Sequence, residues 1–237
     1  FNYTKLKGIS ADILSSVGER AFYGTNLTET VNLPALTEIG AYAFANCYSV
    51  KAFHLGAVTK MGAFAFRVSG ASQLSAVTFA NGASVVGDYA FAAYDSRGNL
   101  TARPALTNVV VPATVTEIGE YAFINLTNLK SDGIDLSGVT AVGNLAFFGC
   151  GSLTNLDLGN VLTIGAQAFD GTKKIASVEL TSAKEIGAGA FRASGLTEAT
   201  YPVAEKIGFN AFSGTKLTEI TIPATMNELT YEDEWYV

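Results

Sequence analysis

Ile118-Gly119-Glu120-Tyr121-Ala122-Phe123 is one of nine occurrences of the word apolar-Gly-x-x-Ala-Phe in a chain of 237 residues. The other eight begin at Val17, Ile39, Met61, Val86, Val142, Ile164, Ile186 and Ile207. Their glycines, from Gly18 through Gly40, Gly62, Gly87, Gly119, Gly143, Gly165 and Gly187 to Gly208, are separated by 22, 22, 25, 32, 24, 22, 22 and 21 residues. A fixed period in the low twenties is the signature of a solenoid in which each repeat is one coil carrying one strand.

Upstream of the quoted word runs Leu106-Thr107-Asn108-Val109-Val110-Val111-Pro112, and equivalents precede most of the others, as in Leu196-Thr197-Glu198-Ala199-Thr200-Tyr201-Pro202; Leu217-Thr218-Glu219-Ile220-Thr221-Ile222-Pro223 repeats the pattern after the last word. Alternation over the last three positions before the proline puts two apolar side chains into the core and one toward solvent, which is a strand. Proline at Pro34, Pro112, Pro202 and Pro223 ends the ladder where its missing N–H costs no central hydrogen bond. Within the word, the glycine suits a backbone that bends tightly or approaches its neighbour, and the alanine leaves room for the next coil. The phenylalanines at 22, 44, 66, 91, 123, 147, 169, 191 and 212 then predict an aromatic ladder along the solenoid axis, a core feature rather than a ligand cage.

The pattern resembles the BspA-like leucine-rich repeat family, whose coils read Leu-Thr-x-Val-x-Leu-Pro-x-x-Val-Thr-x-Ile-Gly-x-x-Ala-Phe, and the resemblance covers residues 6 to 223. It implies an α/β class: a right-handed leucine-rich-repeat solenoid with one parallel β-sheet face and short helical or irregular segments on the opposite face. It also implies an extracellular or cell-surface setting, with an adhesin-like role toward host proteins. No catalytic residue comes with the family. The expected organisation is a single domain over 1–237, with nine coils and end coils or caps at about 1–16 and 224–237.

Composition narrows function. A formal charge of −6 and a pI near 4.8 leave no basic surplus to neutralise phosphates, which argues against nucleic acid as a partner. No apolar run reaches the 18 residues a spanning helix needs, so direct membrane insertion of this segment is not expected. Cys47 and Cys150 lie several coils apart, too far to be bridged. With His54 the only histidine, neither a zinc site nor a triad is available, and no Gly-rich phosphate loop occurs. No cofactor or enzymatic activity is expected.

The solvent-facing middle position of each strand forms a column across the sheet: Ser10, Asn32, His54, Thr78, Val110, Asp135, Asp157, Glu179, Thr200 and Thr221. At a parallel spacing of about 4.8 Å, the three carboxylates Asp135, Asp157 and Glu179 would repel one another. They are read as a solvated face, with contact to a basic patch on a partner as the main alternative and a Ca²⁺ site as the weaker one. A retaining glycosidase pair is disfavoured, because an open sheet offers no desolvated cleft. The largest insertion, in the 32-residue interval, carries Tyr94, Arg97 and Arg103, residue types enriched in binding hot spots.

These readings converge on a non-enzymatic, monomeric module of a bacterial cell-surface or secreted protein. Its partner would be a protein, including a host extracellular or mucosal one, held through the sheet face and the 94–103 loop. The ligand-binding candidates are His54, Tyr94, Arg97, Arg103, Asp135, Asp157 and Glu179. The alternative is a structural spacer within a longer surface protein, and a glycan is a less favoured ligand.

Overall fold

The computed structural model describes residues 1–69, 72–94, 97–102 and 105–229. Arg103 and the charged aromatic end of the expected C-terminal cap, from residue 230 onward, lie outside them.

Two parallel ladders run along the molecule. The first contains Val31–Leu33, Ala52–Leu55, Ala76–Phe79 and Asn108–Val110, and later Ser177–Glu179 and Glu198–Thr200. In it Val31 and Leu33 are buried while Asn32 between them is exposed, the alternation that the sequence predicts. The second ladder consists of two-residue strands, all but the last, Glu228–Leu229, ending on the residue before the repeat glycine. Ser16–Val17, Glu38–Ile39 and Lys60–Met61 form one stretch of it. Val85–Val86, Glu117–Ile118, Ala141–Val142, Thr163–Ile164, Glu185–Ile186, Lys206–Ile207 and Glu228–Leu229 form the other. In each such pair from 16 to 207 but Lys60–Met61, the apolar second residue is buried, so the ladder is anchored from inside.

The remaining side of each coil is the repeat word itself, and here the expected α/β class fails. Among the described residues there is no helix; the segment is a run of tight turns. Ala43 N–H donates to the Gly40 carbonyl at 3.2 Å and Ala168 to Gly165 at 3.3 Å, with the third residue of each turn in the left-handed region. Arg20, Tyr42, Phe64, Tyr89, Tyr121, Leu145, Gln167, Gly189 and Asn210 all have φ between 52 and 61°. That is the geometry of a type II turn, which glycine normally fills at this position. A non-glycine residue there costs about 1 kcal/mol or more. The offset comes from coil-to-coil bonding: Tyr42 N–H donates to Ala63, Phe44 to Ala65 and Asn46 to Arg67, all on the next coil. A helix would turn these groups inward along its own axis, whereas the turns leave them free to join neighbouring coils.

Phenylalanine fills the interior as the sequence predicts. Successive rings from Phe22 to Phe212 lie 4.9–5.6 Å apart, with interplanar angles of 2–24°. Phe1 adds a tenth ring, stacked on Phe22 at 5.4 Å. One continuous apolar cluster surrounds this column, from Val17 to Ala211. Cys47 and Cys150 are both free and buried within it.

The repeat glycines serve close approach rather than bending, since none has a positive φ. A Cβ on Gly165 would stand 2.5 Å from the Asn144 nitrogen and the Gly143 carbonyl carbon, and one on Gly187 2.5 Å from the Ala166 nitrogen. Each glycine therefore sits directly on the backbone of the coil before it. Gly18, in the first coil, would meet nothing within 4 Å.

Candidate interaction surface

The column expected on the first ladder is only partly formed. Ser10, Asn32, His54, Thr78 and Val110 are paired in register, and so are Glu179 and Thr200. His54 is exposed, as expected. Between these two stretches the register shifts, because Val111 bridges Ile134, which places Gly133 rather than Asp135 beside Val110. Asp135 directly follows this bridge, its N–H donating to the Val111 carbonyl at 2.9 Å, whereas Asp157 lies outside any paired strand; both carboxylates close local turns. Asp135 Oδ1 accepts from the Ser137 N–H at 3.0 Å and its hydroxyl at 2.6 Å, and Asp157 Oδ1 accepts from the Gly159 N–H at 3.0 Å. The Ser137 bonds hold the Asp135 carboxyl below its ordinary range. Among the described residues, no three His, Cys, Asp or Glu side chains are placed to hold a metal ion. The acidic trio thus lacks a ligand geometry for Ca²⁺.

Described residues of the insertion take part in strand pairing. Val68–Ser69 pairs in parallel with Ala93–Tyr94, and Tyr94 bridges Leu100 in antiparallel fashion, forming a small wing on the turn side. Tyr94 is half-buried there, with the Arg67 guanidinium 4.6 Å from its ring centre, while Arg97 is exposed. Burial raises the Tyr94 hydroxyl above its usual value, with Arg67 opposing the shift.

Beside the wing lies a ridge of aromatic side chains. The second variable position of the word is aromatic in four successive coils, and these side chains stack on the outside of the turns. Tyr42 and Phe64 are 5.0 Å apart, Phe64 and Tyr89 4.6 Å, and Tyr89 and Tyr121 4.4 Å, at angles of 8–20°. Arg20 closes one end, 5.2 Å over the Tyr42 ring, and Tyr94 of the wing reaches Phe64 at 6.4 Å. All four stacked rings are half-buried. Partial burial, reinforced by the neighbouring Tyr121, pushes the Tyr89 hydroxyl up to about 12. The words Ile39 to Phe44, Met61 to Phe66, Val86 to Phe91 and Ile118 to Phe123 carried the signal, an aromatic immediately before Ala-Phe in the coils that flank the insertion.

The profile of the BspA type leucine rich repeat region matches this chain over residues 1–102, 100–204 and 131–232, in six copies. The chain belongs to that family. The BspA-type solenoid is also similar to several solved structures. One is a leucine rich cell surface protein from Faecalibacterium prausnitzii A2-165: 23% identity, TM-score 0.45, covering 95% of this chain and 76% of that one. A second is a leucine-rich repeat protein from Eubacterium ventriosum: 19% identity, TM-score 0.38, covering 94% and 83%. A third is the pneumococcal vaccine antigen PcpA: 18% identity, TM-score 0.38, covering 90% and 65%. Comparison with curated proteins gives no match. Among the described residues, no helix is long and apolar enough to cross a membrane.

Proposed function

We propose that this BspA-type chain is a non-enzymatic interaction module of a bacterial cell-surface or secreted protein, and that it binds a protein ligand through the turn face. The contact surface is the ridge Tyr42, Phe64, Tyr89 and Tyr121 together with the wing that carries Tyr94 and Arg97. The observation that carries this reading is coincidence. The longest insertion and the run of external aromatics occupy the same coils and the same side, and Phe64 touches both through Tyr89 and Tyr94. Stacked rings and guanidinium groups give large contact area at low entropy cost, the usual make-up of an interface centre. This moves the proposed contact from the sheet face, where His54, Asp157 and Glu179 stand, to the turns.

A photo-crosslinking amino acid at position 94, 121, 54 or 157 tests the reading against a preparation of mucosal or matrix proteins. Adducts at 94 and 121, with none at 54 and 157, are the expected result. Adducts at 54 and 157 alone would return the contact to the sheet face. Their absence at all four positions would favour the spacer.

A further inference from the structure

We infer that the ligand surface receives a carboxylate-bearing segment of a protein partner, with Arg67 as its anchoring cation. This rests on the turn-face reading above and adds to it the chemistry of the partner.

The chain contains its own template for this contact. Arg67 and Arg192 occupy the same place in their coils, five residues after the repeat glycines Gly62 and Gly187. At that place Arg192 reaches back to the residue in the same register on the preceding coil, Asp170. Its Nε and Nη2 lie 2.8 and 2.7 Å from Asp170 Oδ2. Arg67 has alanines in register on both sides, Ala45 before it and Ala92 after it. Among the described residues it makes no ion pair, and its guanidinium rests on the Tyr94 ring instead. A half-buried guanidinium whose carbon lies 4.6 Å from the centre of an aromatic ring keeps its N–H donors for a carboxylate, which the ring cannot replace as an acceptor. The fold supplies the carboxylate internally at Arg192; at Arg67 it comes from outside.

The surroundings agree in charge and in hydrogen bonding. Residues 1–121 hold eight Lys and Arg against eight Asp and Glu, so the whole net charge of −6 falls on residues 122–237. An acidic segment is therefore repelled by the later coils and not by those bearing the ridge. Stacking at 4.4–5.0 Å covers the faces of Phe64 and Tyr89, which leaves their edges outward. Covered faces do not suit a sugar ring, which stacks on them. The Tyr89 and Tyr94 hydroxyls, both raised in pKa, stay protonated at neutral pH and can donate to carboxylate oxygens.

The test measures binding of a fluorescein-labelled hexaglutamate peptide to the whole chain at low and moderate salt. Arg67→Gln and Arg67→Lys are compared with Lys173→Gln, an exposed cation of the later coils, and with Asp95→Asn, which removes the acidic residue of the insertion. The expected result is tenfold or greater weakening in Arg67→Gln and partial weakening in Arg67→Lys. No change is expected in Lys173→Gln or Asp95→Asn. Equal binding by Arg67→Gln and wild type would overturn the inference, as would equal losses in Arg67→Gln and Lys173→Gln. A tenfold gain in Asp95→Asn would mark Arg67 as internally paired and overturn it too. Preference for an α2,8-linked oligosialic acid over the peptide would assign the site to glycans. Failure here alongside adducts at position 94 removes only the carboxylate chemistry, whereas loss of those adducts removes the turn-face reading itself.

Discussion

Adding one methyl group at Gly165 tests how the coils are held together. A Cβ there would sit 2.5 Å from the Asn144 nitrogen and the Gly143 carbonyl carbon, all backbone. Ordinary contact requires about 3.5 Å, so the two coils must part by about 1 Å. Parting stretches the bonds that flank the contact, Gly165 N–H to Val142 at 2.8 Å and Leu145 N–H to Ala166 at 2.9 Å, beyond useful length. Losing about two bonds costs about 2 kcal/mol, within the usual 1–3 kcal/mol for overpacking. The lower unfolded-state entropy of alanine offsets about 0.5 kcal/mol. Gly165→Ala should therefore lose about 1.5 kcal/mol, within a range of roughly 0.5–2.5, in urea denaturation followed by far-UV circular dichroism. Gly18→Ala meets nothing and should be neutral or gain about 0.5 kcal/mol. Equal stability of the two variants would refute close approach as the reason for the repeat glycine.

Phe169→Ala removes a fully buried ring and should cost about 3–5 kcal/mol in the same assay, with Phe212→Ala, at the half-buried end of the column, costing less. Because Tyr89 titrates near 12 when folded and near 10 when unfolded, it adds stability below pH 10 that disappears as pH rises toward 12; Tyr89→Phe should unfold less readily with alkali in that window, read by circular dichroism. Burial raises the thiols of Cys47 and Cys150, so both should resist a thiol-specific chromogenic reagent in the native protein and react once it is unfolded in urea.

The solenoid was legible because one large apolar residue recurs at a fixed place in every coil, and only stacking buries nine such rings at once. The second ladder was not, since strands as short as Glu38–Ile39 carry no alternation to read. Helical turns opposite the sheet were expected from the resemblance. The left-handed residues that replace them, such as Tyr121 and Leu145, betray nothing in sequence, because bonding to the next coil overrides the preference for glycine. The acidic column misled because Ile134-Asp135-Leu136 imitates Leu156-Asp157-Leu158, while Val111 pairs with Ile134 and so shifts the true register. Tyr94 and Arg97 were found through the spacing anomaly. The ridge beside them is hard to read from sequence because the fourth position of the word, aromatic in four coils, holds Arg20, Leu145, Gln167, Gly189 and Asn210 in the others.

Ring-to-ring nuclear Overhauser effects with selectively labelled phenylalanine bear most directly on the stacked interior from which every surface assignment is built. Cross-peaks between Phe147 and Phe169 and between Phe169 and Phe191, with none between Phe147 and Phe191, are the predicted result. Missing cross-peaks between consecutive rings, or ring signals attenuated by a soluble paramagnetic agent as exposed side chains are, would contradict it.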